Sequence, residues 1–120
     1  LLPGAPLPEV IAHLTADGVG ACWVAQPEAA DRIWGLITDG DLRRALQQHN
    51  AQEWSKLTAA DLMTADPITV DGDTLAITAI EQMERNRRKA IAVLPVVSPD
   101  QRMLGLLRLH DLVQAGLTSA

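Results

Sequence analysis

The chain states one motif twice. "GLITDGDLRRAL" at 35–46 returns as "GLLRLHDLVQAG" at 105–116, about seventy positions later. Each copy opens with glycine and aliphatic residues, as a buried strand does, and continues through an acid into an apolar helical face. The pattern ahead of each copy repeats as well. Leu7, Val10, Ile11 and Leu14 fall at i, i+3, i+4 and i+7, and so do Ala76, Ala79, Ile80 and Met83. Repetition of this length means two similar half-size modules that bury faces against each other.

The order of elements follows from that pattern. A helix is predicted over 6–16 with Gly18 as its stop, then a buried strand over 21–25, a polar turn over 26–32, a strand over 33–38 and a helix over 41–48. A short helix (55–63) and a strand (68–70) lead into the second copy. Its first helix is capped by Asp73 or Thr74, followed by a strand over 92–97, the turn "SPDQR" at 98–102, a strand over 103–107 and a closing helix over 109–115. The fold class is therefore α+β: two α-β-β-α repeats with pseudo-two-fold symmetry and helices over both sheets. The expected units are 1–50 and 51–120.

Composition narrows the chemistry. Phe and Tyr are absent and three Trp are the only aromatics, so the core is aliphatic; Trp23 and Trp34 read as core or interface residues. A formal charge of −5 argues against a nucleic-acid binder, which needs a basic footprint, but leaves room for a small phosphorylated ligand held by local donors. The single cysteine, Cys22, can form neither an internal disulfide nor a cysteine zinc site, and it reads as a small core residue of a cytoplasmic protein. No apolar run approaches the roughly 20 residues of a membrane span, and no secretion signal is recognisable. "GVG" at 18–20 lacks the rest of a dinucleotide fingerprint and is a turn. There is no P-loop, no metal-ligand spacing and no nucleophile beside a base.

The repeated corner carries what chemistry there is. Gly35 and Gly105 stand in mid-strand, where something must approach the backbone closely, a ligand or a neighbouring strand. Thr38 and Asp41, a hydroxyl and a carboxylate three residues apart, can grip the vicinal hydroxyls of a ribose or another sugar. The other reading is that Thr38 or Asp39 caps the helix, and the first corner alone favours it. The second corner keeps the acid, Asp111, but puts Arg108 in place of Thr38 and adds His110. His13 reads as a solvated residue and His49 as a cation suited to a helix C-terminus. The basic run at 85–89 complements a helix dipole, or turns one arginine toward an anion. Arg43 and Arg44 open a helix where the dipole disfavours cations, so solvation and an anion or partner are both open for them.

Two such units, each ending Gly-apolar-apolar-x-x-x-Asp-Leu, resemble a pair of cystathionine-β-synthase (CBS) domains, a Bateman module. The first corner, 35–41, matches that family's ribose-gripping signature in full; the second matches at Gly105 and Asp111 and departs at Arg108. "DLMTADPITV" (61–70) and "LPVV" (94–97) are further hallmarks. Together with "TDGDLRRAL" and "LHDLVQAGL" (109–117), they are similar to the C-terminal CBS pair of arabinose-5-phosphate isomerases of the KpsF/GutQ type. The resemblance implies a regulatory, non-catalytic module without a required cofactor. It would bind an adenine nucleotide or a nucleotide-sugar, with CMP-Kdo the feedback ligand that pathway logic suggests. Thr38, Asp39 and Asp41 would form one side of the ligand site and Arg108, His110 and Asp111 the unequal other side. Thr69 and Pro95 from the two hallmarks, and Arg88 from the basic run, complete the candidate set. It also implies self-association through the CBS helices and a parent chain with an N-terminal sugar-isomerase (SIS) domain. The first unit lacks the family's usual opening strand and "MT"-like segment, as expected of a piece cut from a longer enzyme. A purely structural oligomerisation module is the alternative.

Overall fold

A computed structural model of the chain describes residues 1–16, 20–72 and 93–108. The predicted helices over 73–83 and 109–115, and the candidate caps Asp73 and Thr74, lie outside the described residues. Helix α1 (Leu7–Ala16) turns Leu7, Val10 and Leu14 inward; Ile11, expected on the same face, stays 40% exposed at its margin. These side chains meet Cys22 and Val24 of β1 (Ala21–Gln26), Ile37 of β2 (Ala29–Thr38) and Ala45 of α2 (Asp39–Gln48). Cys22 is buried with a free thiol, and loss of hydration raises its pKa to about 11, so it is an inert core residue.

β1 and β2 form an antiparallel hairpin that turns at Pro27 and Glu28. The polar stretch 29–32, expected to be turn, is instead part of β2. Gln26 pairs with Ala29 and Ala25 with Ile33, with register shifts absorbing the uneven count. Ladder pairing here overrides weak strand propensity. The single helix expected over 55–63 is two pieces, a 3-10 helix (Ala51–Lys56) and α3 (Ala59–Leu62). Between them Leu57 and Thr58 are extended, which buries Leu57 and lets Thr58 start a new helix.

After α3 the chain adds β3 (Thr64–Ala65) to the outer edge of β2, pairing Thr64 with Leu36 and Ala65 with Gly35. The mid-strand glycine is explained here. Met63 lies on the bare Cα of Gly35: a Cβ built there would fall 2.6 Å from Met63 Cγ and 2.8 Å from its Cβ. On the other side of the sheet, Leu1 flanks β1. Its ammonium donates to Trp23 O at 3.0 Å and its carbonyl accepts from Ala25 N at 2.8 Å.

The second sheet has the order β4-β5-β6. β4 (Val70–Asp71) runs parallel to β5 (Val93–Val97), which is antiparallel to β6 (Met103–Arg108). Leu94, Pro95 and Val97 of β5 are buried. The turn over 98–102 appears as expected. Gln101 takes a positive φ of 70°, the Ser98 hydroxyl bonds to the Asp100 carboxylate, and Arg102 N donates to Ser98 Oγ at 3.0 Å.

The compact units are Leu1–Pro67 and Ile68–Ala120. The sequence pattern divides at 50/51. The segment over 51–65 belongs with the first unit because Leu57, Ala59 and Leu62 complete its core and β3 extends its sheet.

Gly35→Val should cost about 1–3 kcal/mol of unfolding free energy by overpacking against Met63. Adding Met63→Ala should recover part of that loss in denaturant titrations.

Candidate functional site

The corner between β2 and α2 begins with a helix that needs its first N–H groups satisfied. Thr38 is the N-cap, extended at φ −113° and ψ 169°, and Asp41 stands three residues on. Thr38 Oγ1 accepts from Asp41 N at 3.3 Å, and Asp41 Oδ2 accepts from Thr38 N at 2.9 Å, a reciprocal capping box. The Thr38 hydroxyl also donates to Asp41 Oδ2 at 3.1 Å. The second carboxylate oxygen, Oδ1, takes a 2.6 Å bond from Arg44 Nη2. The capping reading of this corner is therefore realised, by Thr38 with Asp41.

Arg44 completes the corner. Its side chain is 62% exposed and folds back toward the start of α2, where its Nη1 lies 3.4 Å from the position a Cβ would take at Gly40. A cation at a helix N-terminus opposes the dipole, and the Asp41 carboxylate offsets that cost. Asp39 sits on the other flank. Its N–H donates to Gly20 O at 3.1 Å, and its carboxylate lies so close to Gly20 that a Cβ there would be 2.7 Å from Oδ2. Gly20 has φ +71°, so glycine is required on both counts. Neither Gly20 nor Arg44 as a partner of Asp41 was legible in the sequence, although the i, i+3 spacing of an acid and an arginine was a usable signal.

The same box occurs elsewhere. Thr58 donates to Asp61 Oδ2 from its backbone at 2.9 Å and from its hydroxyl at 3.0 Å. A Thr-x-x-Asp cap is therefore not by itself a ligand site. The two corners differ in surroundings: Asp41 carries an arginine, whereas Asp61 closes a helix of 4 residues.

The unequal second corner is placed in part. Val93 pairs with Arg108 as Ala21 pairs with Thr38, so the sheet register puts Arg108 at the position of Thr38. Arg108 is half-buried at the end of β6, Pro95 is buried in mid-β5, and Thr69 is half-buried just before β4. Arg88, His110 and Asp111 lie outside the described residues. Thr38, Asp39 and Asp41 are brought together in the first unit; in the second, Pro95 and Arg108 lie on β5 and β6 and Thr69 just ahead of β4. Among the described residues no cluster of His, Cys, Asp and Glu could hold a metal, and no helix is long and apolar enough to cross a membrane.

A sequence model of the CBS domain matches residues 59–118. The chain belongs to the CBS domain family. It is similar to arabinose 5-phosphate isomerase KdsD of Pseudomonas aeruginosa, 35% identical over 117 residues, covering 98% of this chain and 34% of that protein. Arabinose 5-phosphate isomerase KpsF of Escherichia coli is 34% identical over 102 residues, covering 85% of this chain and 29% of that protein. The chain thus spans about a third of the length of these curated relatives. Among solved structures, the CBS domain protein PAE2072 from Pyrobaculum aerophilum, complexed with AMP, superposes with a TM-score of 0.80 at 25% identity, over 93% of this chain and 80% of that one. CBSX2 in complex with AMP superposes with a TM-score of 0.74 at 23% identity, over 98% and 85%. The α+β class and the CBS-pair architecture expected from the repeat hold for this chain.

Asp41→Ala should remove the reciprocal cap and cost about 1–2 kcal/mol in urea unfolding. Asp61→Ala should cost a similar amount, and Arg44→Gln less than about 1 kcal/mol, because its ion pair is largely solvated.

Proposed function

We propose that this chain is the ligand-sensing regulatory module of an arabinose-5-phosphate isomerase, binding a nucleotide or nucleotide-sugar at the β2–α2 corner. The observation that carries the reading is the state of Asp41. Its carboxylate closes the helix through one oxygen and holds a solvent-facing arginine through the other. A ribose diol can replace that arginine at Oδ1 while the cap at Oδ2 stays closed. The exposed ion pair contributes little, so the exchange costs little, and the guanidinium it releases is a donor for the ligand's phosphate. Asp39, beside Asp41, would belong to the same site of the first unit. In the second unit the candidate ligand residues are Arg108, at the matching register of its sheet, with Thr69, Arg88, Pro95, His110 and Asp111.

The similarity to a CBS protein complexed with AMP supports an adenine nucleotide as ligand. The likeness to arabinose 5-phosphate isomerases supports an isomerase parent with a sugar-isomerase domain, working in the cytoplasm, and makes CMP-Kdo the end-product ligand to test. The chain itself would not turn over sugar phosphates.

The structural alternative has one observation in its favour: the similar Thr58–Asp61 box, in which Asp61 Oδ2 accepts from the Thr58 N–H and hydroxyl, serves as a plain helix start. Calorimetric titration with AMP, ATP and CMP-Kdo separates the readings. At least one should bind, and Asp41→Ala should weaken it at least tenfold while Asp61→Ala leaves it unchanged. Absence of binding by all three, with an oligomer by light scattering that ignores every nucleotide, would establish the structural role instead.

A further inference from the structure

The Asp41 carboxylate has little acceptor capacity to spare. A carboxylate offers about four acceptor places, shared evenly between its oxygens. Oδ2 fills its share with the N–H and the hydroxyl of Thr38. Oδ1 gives one place to Arg44 Nη2 at 2.6 Å, which leaves a single place open. The Asp41 side chain is only 11% exposed, whereas the arginine bonded to it is 62% exposed. Arg44 therefore stands on the solvent side of the one oxygen that is not committed to the helix cap.

The repeat sets this arginine apart. The register that places Arg108 against Thr38 places Asp111 against Asp41 and Gln114 against Arg44 in the sequence. Each copy keeps the acid. The first has an arginine three residues after it; the second has one three residues before it and glutamine at the later position.

We infer that Arg44 is a latch on Asp41 that makes the first corner select diols carrying an anionic group, a nucleoside phosphate over the neutral nucleoside. Such a latch rests on the ligand site proposed for this corner. A vicinal diol brings two hydroxyl donors, and Oδ1 has one open place. A diol that grips Asp41 through both hydroxyls must displace the guanidinium. A neutral ligand leaves the displaced arginine to water alone, and the broken ion pair counts against its binding. A phosphorylated ligand gives the guanidinium a second anion, held by charge-assisted bonds that its planar fork suits. One side chain thus penalises the neutral diol and rewards the charged one.

Arg44→Gln gives the first corner the residue that the second copy carries. NMR titration, which reads weak affinities, compares AMP with adenosine and CMP with cytidine on the wild-type chain, Arg44→Gln and Arg43→Gln. The last removes the same charge from the preceding, exposed residue of α2. The wild type should prefer each nucleotide to its nucleoside by about tenfold or more. Arg44→Gln should weaken the nucleotide and, because the exposed pair no longer competes, tighten the nucleoside by about twofold to fivefold. Arg43→Gln should not tighten the nucleoside. Nucleoside affinity that is unchanged or lower in Arg44→Gln, or that rises equally in Arg43→Gln, would overturn the latch, while nucleotide binding that still depends on Asp41 would leave the ligand site standing. Failure of both nucleotides to bind any of the three chains would overturn the site and the latch together.

Discussion

The Asp41 carboxylate is the point on which the corner between β2 and α2 turns. Its two oxygens face different demands. One closes the first turn of α2 against Thr38, fixing the corner at which a buried strand becomes a helix. The other reaches Arg44 and neutralises a cation that the helix dipole would otherwise repel. Because the structural role occupies one oxygen and a solvated ion pair occupies the other, one residue can hold the fold and still offer an acceptor to a ligand. Asp61 has a similar cap, but among the described residues no arginine bonds to it, and it closes only one turn of helix.

Around that corner the sheet depends on residues distant in sequence. β2 is completed by β3, which comes after α2 and two further helical pieces, and the contact is possible only because Gly35 has no side chain where Met63 lies. Gly20 makes a comparable concession to Asp39. Both glycines look like weak points when read along the chain. In space each is the complement of one side chain, which is why the first unit extends to Pro67 rather than ending with α2.

The repeat itself was legible because apolar periodicity is local: α1, both hairpins and the corner at Thr38 could be read from spacing alone. Thr38, Asp39 and Asp41 were legible as a hydroxyl and acids at a helix start, and the structure shows Thr38 and Asp41 as its capping box. Segment 51–65 was harder. Asn50 with Glu53 and Thr58 with Asp61 mark two separate helix starts, but Leu57 fits an apolar helical face and hides the break. The early start of β2 was hidden because Ala29 and Ala30 have little strand propensity, and the strand begins there through pairing of Ala29 with Gln26 of β1. Met63 on Gly35 could not be read at all, since a contact across 28 positions leaves no local signal.

The central claim is that Asp41 exchanges an arginine for a sugar diol. The most direct measurement is calorimetric comparison of AMP with 2′,3′-dideoxy-AMP, on the wild-type chain and on Asp41→Asn. Hydrogen bonds to a charged group contribute about 1.5–3 kcal/mol. The dideoxy analogue should therefore bind at least tenfold more weakly to the wild type, and the difference should vanish in Asp41→Asn. Equal affinity of the two nucleotides for the wild-type chain would contradict the account.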